Sequence, residues 1–303
     1  MDKKILADKV SNINYIIYSF LPEDDRYREL ICDAASYSVK AGGKRLRPMI
    51  MQETYRMFAE GAPESELLHA FMAAIEFIHT YSLVHDDLPA MDNDMYRRGQ
   101  LTTHAKYGEA FGILAGDALL NLAYETIAAA LMKAKDEQEL SRGVKAFSVL
   151  ARKAGIYGMI GGQVLDVYSE KTKGFKSRMD EIEFIYENKT GALLEASIMA
   201  GALLAGASDK DVDQLVIIAK NVGYAFQIRD DILDVTSSLE VLGKPIGSDA
   251  QNDKATYVTY AGLDESQKAV ERFTNEALSA FNEFDNKNEF LGELFIYLIN
   301  REN

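Results

Sequence analysis

Seven aspartates of this chain are gathered in two short runs. The first, HDDLPAMDNDMYRRG over residues 85–99, holds Asp86, Asp87, Asp92 and Asp94; the second, RDDILDV over 229–235, holds Asp230, Asp231 and Asp234. Asp230 and Asp234 stand four apart, so on a helix they project from one face. Like charges there repel unless a cation lies between them. Each run follows apolar sequence, Tyr81-Ser82-Leu83-Val84 before the first and Ala225-Phe226-Gln227-Ile228 before the second. Carboxylates at such a boundary are costly unless they are paired or bind metal. Oxygen-only ligands suit a hard cation. Magnesium keeps several waters and is held by a few carboxylates together with substrate phosphates. Two facing clusters can hold a diphosphate through bridging metals, which neutralise the charge that develops on a leaving group.

Basic residues accompany both runs. Lys44, Arg45 and Arg47 lie in the glycine-led stretch AGGKRLRP (41–48), Arg97 and Arg98 follow the first run directly, and Lys189-Thr190 opens KTGALLEAS. Lys244 and Lys254 lie in the Ser/Gly/Pro/Asp-rich stretch 235–257, which reads as a long surface loop of the kind that serves as a functional lid. Arginine forks match phosphate oxygens and lysine acts as a point charge. Other metals fit poorly. A calcium loop starting at Asp92 would have Arg97 where glycine is needed and Thr103 where glutamate is needed. Zinc lacks ligands, because Cys32 is alone and His79 and His85 do not form a paired-histidine helix motif.

The elements that must carry these residues are helical. The segment 66–85, ELLHAFMAAIEFIHTYSLVH, repeats apolar residues at three- and four-residue spacing, and similar patterns run over 109–134, 139–165, 179–205, 211–235 and 264–284. Five prolines in 303 residues leave room for long helices. The segments 110–132 and 196–207 are apolar on more than one face, which marks central helices. The expectation is an all-α chain of roughly a dozen helices, forming a single large bundle over residues 1–303 with a ligand cavity at its centre. No linker separates domains.

Composition narrows the partners. A net charge of −14 argues against nucleic acid and anionic membrane surfaces, and makes an anionic substrate depend on local cations. The absence of an uninterrupted 18-residue apolar run argues against stable membrane insertion. One cysteine fits a reducing cytosol, and the N-terminus reads as a first helix, so a cytoplasmic location is expected.

With these residues in hand, the sequence resembles the trans-isoprenyl diphosphate synthases, most closely the bacterial farnesyl diphosphate synthases. The resemblance rests on GGKRLRP (42–48), EFIHTYSLVHDDLPAMDNDMYRRG (76–99), GDALL (116–120), GGQVLD (161–166), KTGAL (189–193), GYAFQIRDDILDV (223–235), GKPIGSD (243–249) and INRE (299–302) in that order. It implies an all-α homodimer with a deep cavity per subunit. It also implies three magnesium ions held by Asp86, Asp87, Asp92, Asp230, Asp231 and Asp234. By the same resemblance Arg97, Lys189, Thr190, Gln227, Lys244 and Lys254 surround an allylic diphosphate. Lys44, Arg47, His79 and Arg98 match an isopentenyl diphosphate site. Met95 stands where relatives often carry a further aspartate, while the ligand aspartates remain.

The reaction implied is ionisation, condensation and elimination, with the Lys189 carbonyl, the Thr190 hydroxyl and Gln227 as dipoles facing an allylic cation. Tyr81 lies five residues before Asp86, about 7.5 Å along a helix, where an aromatic ring would floor the pocket. With Ser82 and the DDxxxxD spacing, the resemblance implies a farnesyl-length product. A geranylgeranyl diphosphate synthase is the nearest alternative. A terpene cyclase would carry Asn, Ser or Glu ligands in its second metal motif. A metal-dependent phosphohydrolase would need more than the four histidines present and would leave the second run unexplained. A non-catalytic partner subunit commonly lacks one of the two motifs.

Overall fold

A computed structural model describes residues 1–23, 26–172, 177–236 and 256–299. Among the described residues there are fourteen α-helices, one π-helical turn and one two-stranded ladder. They divide into two compact units, one built mainly from residues 2–147 and one mainly from 148–202 and 207–303.

The first unit is organised on α4 (Glu66–Asp86). Ser65 caps its start by accepting the amide of Leu68, and the helix runs without interruption to the first two aspartates. Phe71, Met72, Ile75, Phe77 and Ile78 are fully buried, each worth about 1.5–3 kcal/mol of transfer free energy. Packed around α4 are α1 (Lys3–Tyr18), α2 (Glu29–Lys40), α3 (Leu46–Phe58) and α6 (Glu109–Leu131), with the short α5 (Thr103–Tyr107) against α6. Where α4 meets α6, the imidazole of His85 lies over Gly116, in the space a Cβ would occupy. Strands β1 (Tyr96–Arg97) and β2 (Gln100–Leu101) form a small antiparallel hairpin that the helical periodicity gave no hint of. Its two turn residues, Arg98 and Gly99, both have positive φ, the geometry that suits a two-residue hairpin.

In the second unit, α8 (Met159–Lys171) and α9 (Met179–Ile185) pack against the π-turn Tyr186–Gly191. The long α11 (Asp209–Thr236) packs on α13 (Leu263–Asn282), with α12 (Tyr257–Ala261) and α14 (Glu289–Ile299) alongside. Ile182, Ile185, Tyr186, Ile228, Ile232, Val258 and Ala269 form one of its cores.

Two of the expected helices need correction. The 139–165 pattern is two helices, α7 (Glu137–Ala154) and α8, broken at Gly155–Gly158; a Cβ at Gly158 would overlap the Lys153 carbonyl. The 179–205 pattern is α9, the π-turn and α10 (Ala192–Ala205), which continue one another with one wide turn between them. By length and mean hydropathy, α4 and α6 would both qualify to cross a bilayer, although neither is an uninterrupted apolar run. Helix α4 is mostly buried, whereas much of α6 is exposed.

Candidate active site

The first unit presents the first aspartate run at a helix end. Asp86 is the last residue of α4 and Asp87 caps it. The chain then turns back, and the Asp92 amide donates to the Asp86 carbonyl at 2.8 Å, so the third predicted ligand lies beside the first two. Asp87 is buried and held by Arg97, whose Nε and Nη2 reach its Oδ1 at 2.8 and 2.7 Å. Burial pushes the Asp87 carboxyl up despite that arginine, and Asp94 adds to the shift.

The residues expected at an isopentenyl diphosphate site gather around the α2–α3 loop. Arg98, on the hairpin turn, donates to the Gly42 carbonyl, and its guanidinium lies so close to Gly43 that a Cβ there would sit 2.8 Å from Nη1. Arg47 stands in the first turn of α3, and its Nε is buried without a protein acceptor. Burial lowers its guanidinium to about 10, with Glu76 opposing the shift and Arg98 adding to it. Lys44 is exposed on the loop. His79, on α4, is surrounded by the charges of Arg47, Arg98, Arg97 and Arg45; burial first, and then those cations, hold its imidazole well below the usual histidine range. It is therefore a neutral hydrogen-bonding group at neutral pH.

Tyr81 is buried five residues before Asp86, edge-on to His85 with ring centroids 5.7 Å apart. Burial, with Tyr124 and Asp86 nearby, pushes its phenol up to about 12. Tyr124 in turn meets Phe147 edge-on at 5.9 Å. Ser82 is turned away from this ring contact, its hydroxyl bonded to the His79 carbonyl.

The second unit carries the other half of the predicted set. Asp230, Asp231 and Asp234 all lie on α11, with Asp231 and Asp234 buried. Asp231 accepts from the Tyr186 hydroxyl, from the Tyr257 amide at 3.1 Å and from the Gln227 side-chain amide at 3.5 Å. The Thr190 hydroxyl donates to Gln227 Oε1 at 2.9 Å. Thr190, Gln227 and Asp231 thus form one chain of oriented dipoles. Lys189, on the π-turn, is paired with the buried Asp166 of α8. Neither Asp166 nor Tyr186 was singled out from sequence, although Asp166 ends the GGQVLD segment. Lys244 and Lys254 lie outside the described residues.

The donor set is the test for magnesium. All six predicted ligands are carboxylates, and among the described residues no three acidic, histidine or cysteine side chains converge as a ready-made metal cage. The oxygen-only donor set is the part that fits magnesium, a hard cation.

Residues 28–294 match the polyprenyl synthetase family. The chain belongs to that family. Within it, the chain is 44% identical over 273 residues to a geranylgeranyl diphosphate synthase of Cyanophora paradoxa, covering 90% of this chain and 88% of the relative. It is 40% identical over 290 residues to a farnesyl diphosphate synthase of Micrococcus luteus, covering 95% of each. The crystal structure of a geranyltransferase from Helicobacter pylori, complexed with magnesium and isoprenyl diphosphate, superposes with a TM-score of 0.79 at 28% identity, over 98% of this chain and 96% of that one. The fold is accordingly the all-α isoprenoid synthase fold, and the polyprenyl synthetase chain described here is a trans-prenyl diphosphate synthase.

Proposed function

We propose that the chain condenses isopentenyl diphosphate with dimethylallyl and geranyl diphosphate to give farnesyl diphosphate, with residues 1–303 acting as a single polyprenyl synthase domain. The observation that carries the product length is the buried Tyr81 ring five residues before Asp86. A growing chain anchored by its diphosphate at the aspartates would meet that ring.

In this reading Lys44, Arg47 and Arg98 neutralise isopentenyl diphosphate, and neutral His79 adds a hydrogen bond without a further charge. Both aspartate motifs serve the allylic diphosphate, aided by Arg97, Lys189, Lys244 and Lys254. Asp86, Asp87, Asp92, Asp230, Asp231 and Asp234 would hold magnesium, three ions in the proposal, which when bound would supply positive charge to offset that on the leaving pyrophosphate. The allylic C–O bond breaks. The Thr190 hydroxyl and Gln227, already oriented through Asp231, and the Lys189 carbonyl turn their dipoles toward the cation. The isopentenyl double bond attacks, and a proton leaves to the departing pyrophosphate. We also infer a homodimer and a cytoplasmic location.

The second reading, a geranylgeranyl product, is favoured by the Cyanophora relative. Incubation with magnesium, isopentenyl diphosphate and geranyl diphosphate, followed by chromatography of the product, separates the two. A fifteen-carbon product is expected from the wild type and a longer one from Tyr81→Ala. A twenty-carbon product from the wild type supports the second reading. An unchanged product from Tyr81→Ala removes the floor role, and absence of condensation overturns both readings.

A further inference from the structure

Arg45 stands between Lys44 and Arg47 in the sequence but, unlike Lys44, is withdrawn from solvent. Its side chain is fully buried. Its backbone has φ +49°, a left-handed conformation that non-glycine residues hold only where the surroundings over-determine it. Those surroundings are specific. Nη1 meets Glu76 Oε1 at 2.5 Å, Nε donates to Asn14 Oδ1 at 2.8 Å, and Nη2 donates to the Val39 carbonyl at 2.5 Å. One guanidinium therefore ties the loop to α1, to the end of α2 and to α4. Glu76 is itself buried, one turn before His79 on α4, and its charge also bears on Arg47 and Arg98. Gly42 and Gly43, where the Arg98 guanidinium rests, belong to the same loop. Its flanking cations Lys44 and Arg47 are thus carried on a backbone whose conformation is set from below.

We propose that the buried Arg45–Glu76 pair is the positioning element of the isopentenyl diphosphate subsite, fixing where Lys44, Arg47 and Arg98 meet that diphosphate without touching it. This rests on the function proposed above. A buried pair that served stability alone would affect folding without distinguishing one diphosphate substrate from the other. Loss of registration by a fraction of an ångström, in contrast, weakens binding at the one subsite it supports.

The test compares wild type, Arg45→Lys, and the double variant Arg45→Met with Glu76→Leu, which removes both charges and so leaves no unpaired carboxylate in the core. Steady-state kinetics are measured with isopentenyl diphosphate varied at saturating geranyl diphosphate, and the reverse. Calorimetric titration with isopentenyl diphosphate alone gives a reading independent of turnover. The double variant is expected to raise KM and Kd for isopentenyl diphosphate about tenfold or more, while kcat and the KM for geranyl diphosphate stay within about threefold. Arg45→Lys keeps the charge but not the three-way fork, and is expected to fall between. Equal shifts for both substrates, or an unchanged isopentenyl diphosphate KM in either folded variant, overturn the proposal. Should the double variant fail to fold, Arg45→Lys decides by the same criterion. A wild type that forms no product removes the function itself, which is a distinct result.

Discussion

His79 shows how much the setting of a residue adds to its type. As a residue it is one of four histidines on an apolar helix pattern; in place, burial and four surrounding arginines keep it neutral. That has a consequence for stability. Its folded pKa lies below the ordinary value of 6.5, so between the two the unfolded chain binds a proton that the native chain refuses. The contribution is fully present above 6.5 and is lost as pH falls toward the folded pKa, with a slope of up to about 1.4 kcal/mol per pH unit. Asp87 acts with opposite sign, because its raised pKa lets the native state take a proton first as pH falls. Urea unfolding between about pH 7.5 and 5.5 should therefore show a stability loss in wild type that is flattened in His79→Gln, with the Asp87 term common to both. Equal slopes would mean that the imidazole takes up its proton as readily in the native state as in the unfolded chain. At this scale the aspartates, Arg47, Arg98 and Lys189 stood out by type and neighbourhood, whereas Thr190 and Gln227 entered only through the family resemblance. The partners did not stand out. Arg45, Glu76, Asp166 and Tyr186 carry no local signal of inward or outward orientation, and an arginine between two candidate substrate-binding cations reads as a third.

Helices were legible because their apolar period is long and few prolines interrupt it, so α4, α6, α11 and α13 fall close to their expected spans. Interruptions were not, because one extra residue in a turn leaves the apolar period nearly intact on either side. The π-turn Tyr186–Gly191 is the case that matters, since it presents Lys189 and Thr190. Such single wide turns recur at functional sites. Its seat is Gly162 of α8, where a Cβ would overlap the Lys189 amide and crowd Asn188. Backbone forms this contact, so it cannot be relieved by turning a side chain. Gly162→Ala is expected to cost about 1–3 kcal/mol and to displace the Lys189–Asp166 pair with it. Thermal unfolding measures the first effect, and condensation rate well below the transition measures the second. A variant with wild-type Tm and rate would show that the π-turn tolerates the methyl and that its close approach to α8 has no role.

The whole molecule carries a net charge of −14, yet four arginines bear on one histidine, a local concentration of cations against the overall field. Its apolar surface is unevenly distributed as well. Helix α6 buries Ala115, Leu119, Ala123 and Ile127 but exposes Phe111, Ile113 and Leu114, the last at 52%. Large apolar side chains exposed together on one helix mark a surface that a partner can cover. A bilayer is one candidate, because α6 has the length and hydropathy to enter one. The overall negative charge opposes approach to anionic lipid, and the same helix keeps Asp117, Asn121 and Glu125 on its solvent side. A second copy of the chain meets neither objection, since a two-fold interface sets the same patch against itself and lets polar groups pair around an apolar centre. On the homodimer proposed above, Leu114→Arg is expected to convert the dimer to a monomer in sedimentation equilibrium at micromolar concentration while leaving the helical circular dichroism unchanged. Retention of the dimer mass in that variant would exclude the α6 face as the interface. Flotation of the wild type with phosphatidylcholine vesicles, abolished by the same substitution, would assign the face to lipid instead.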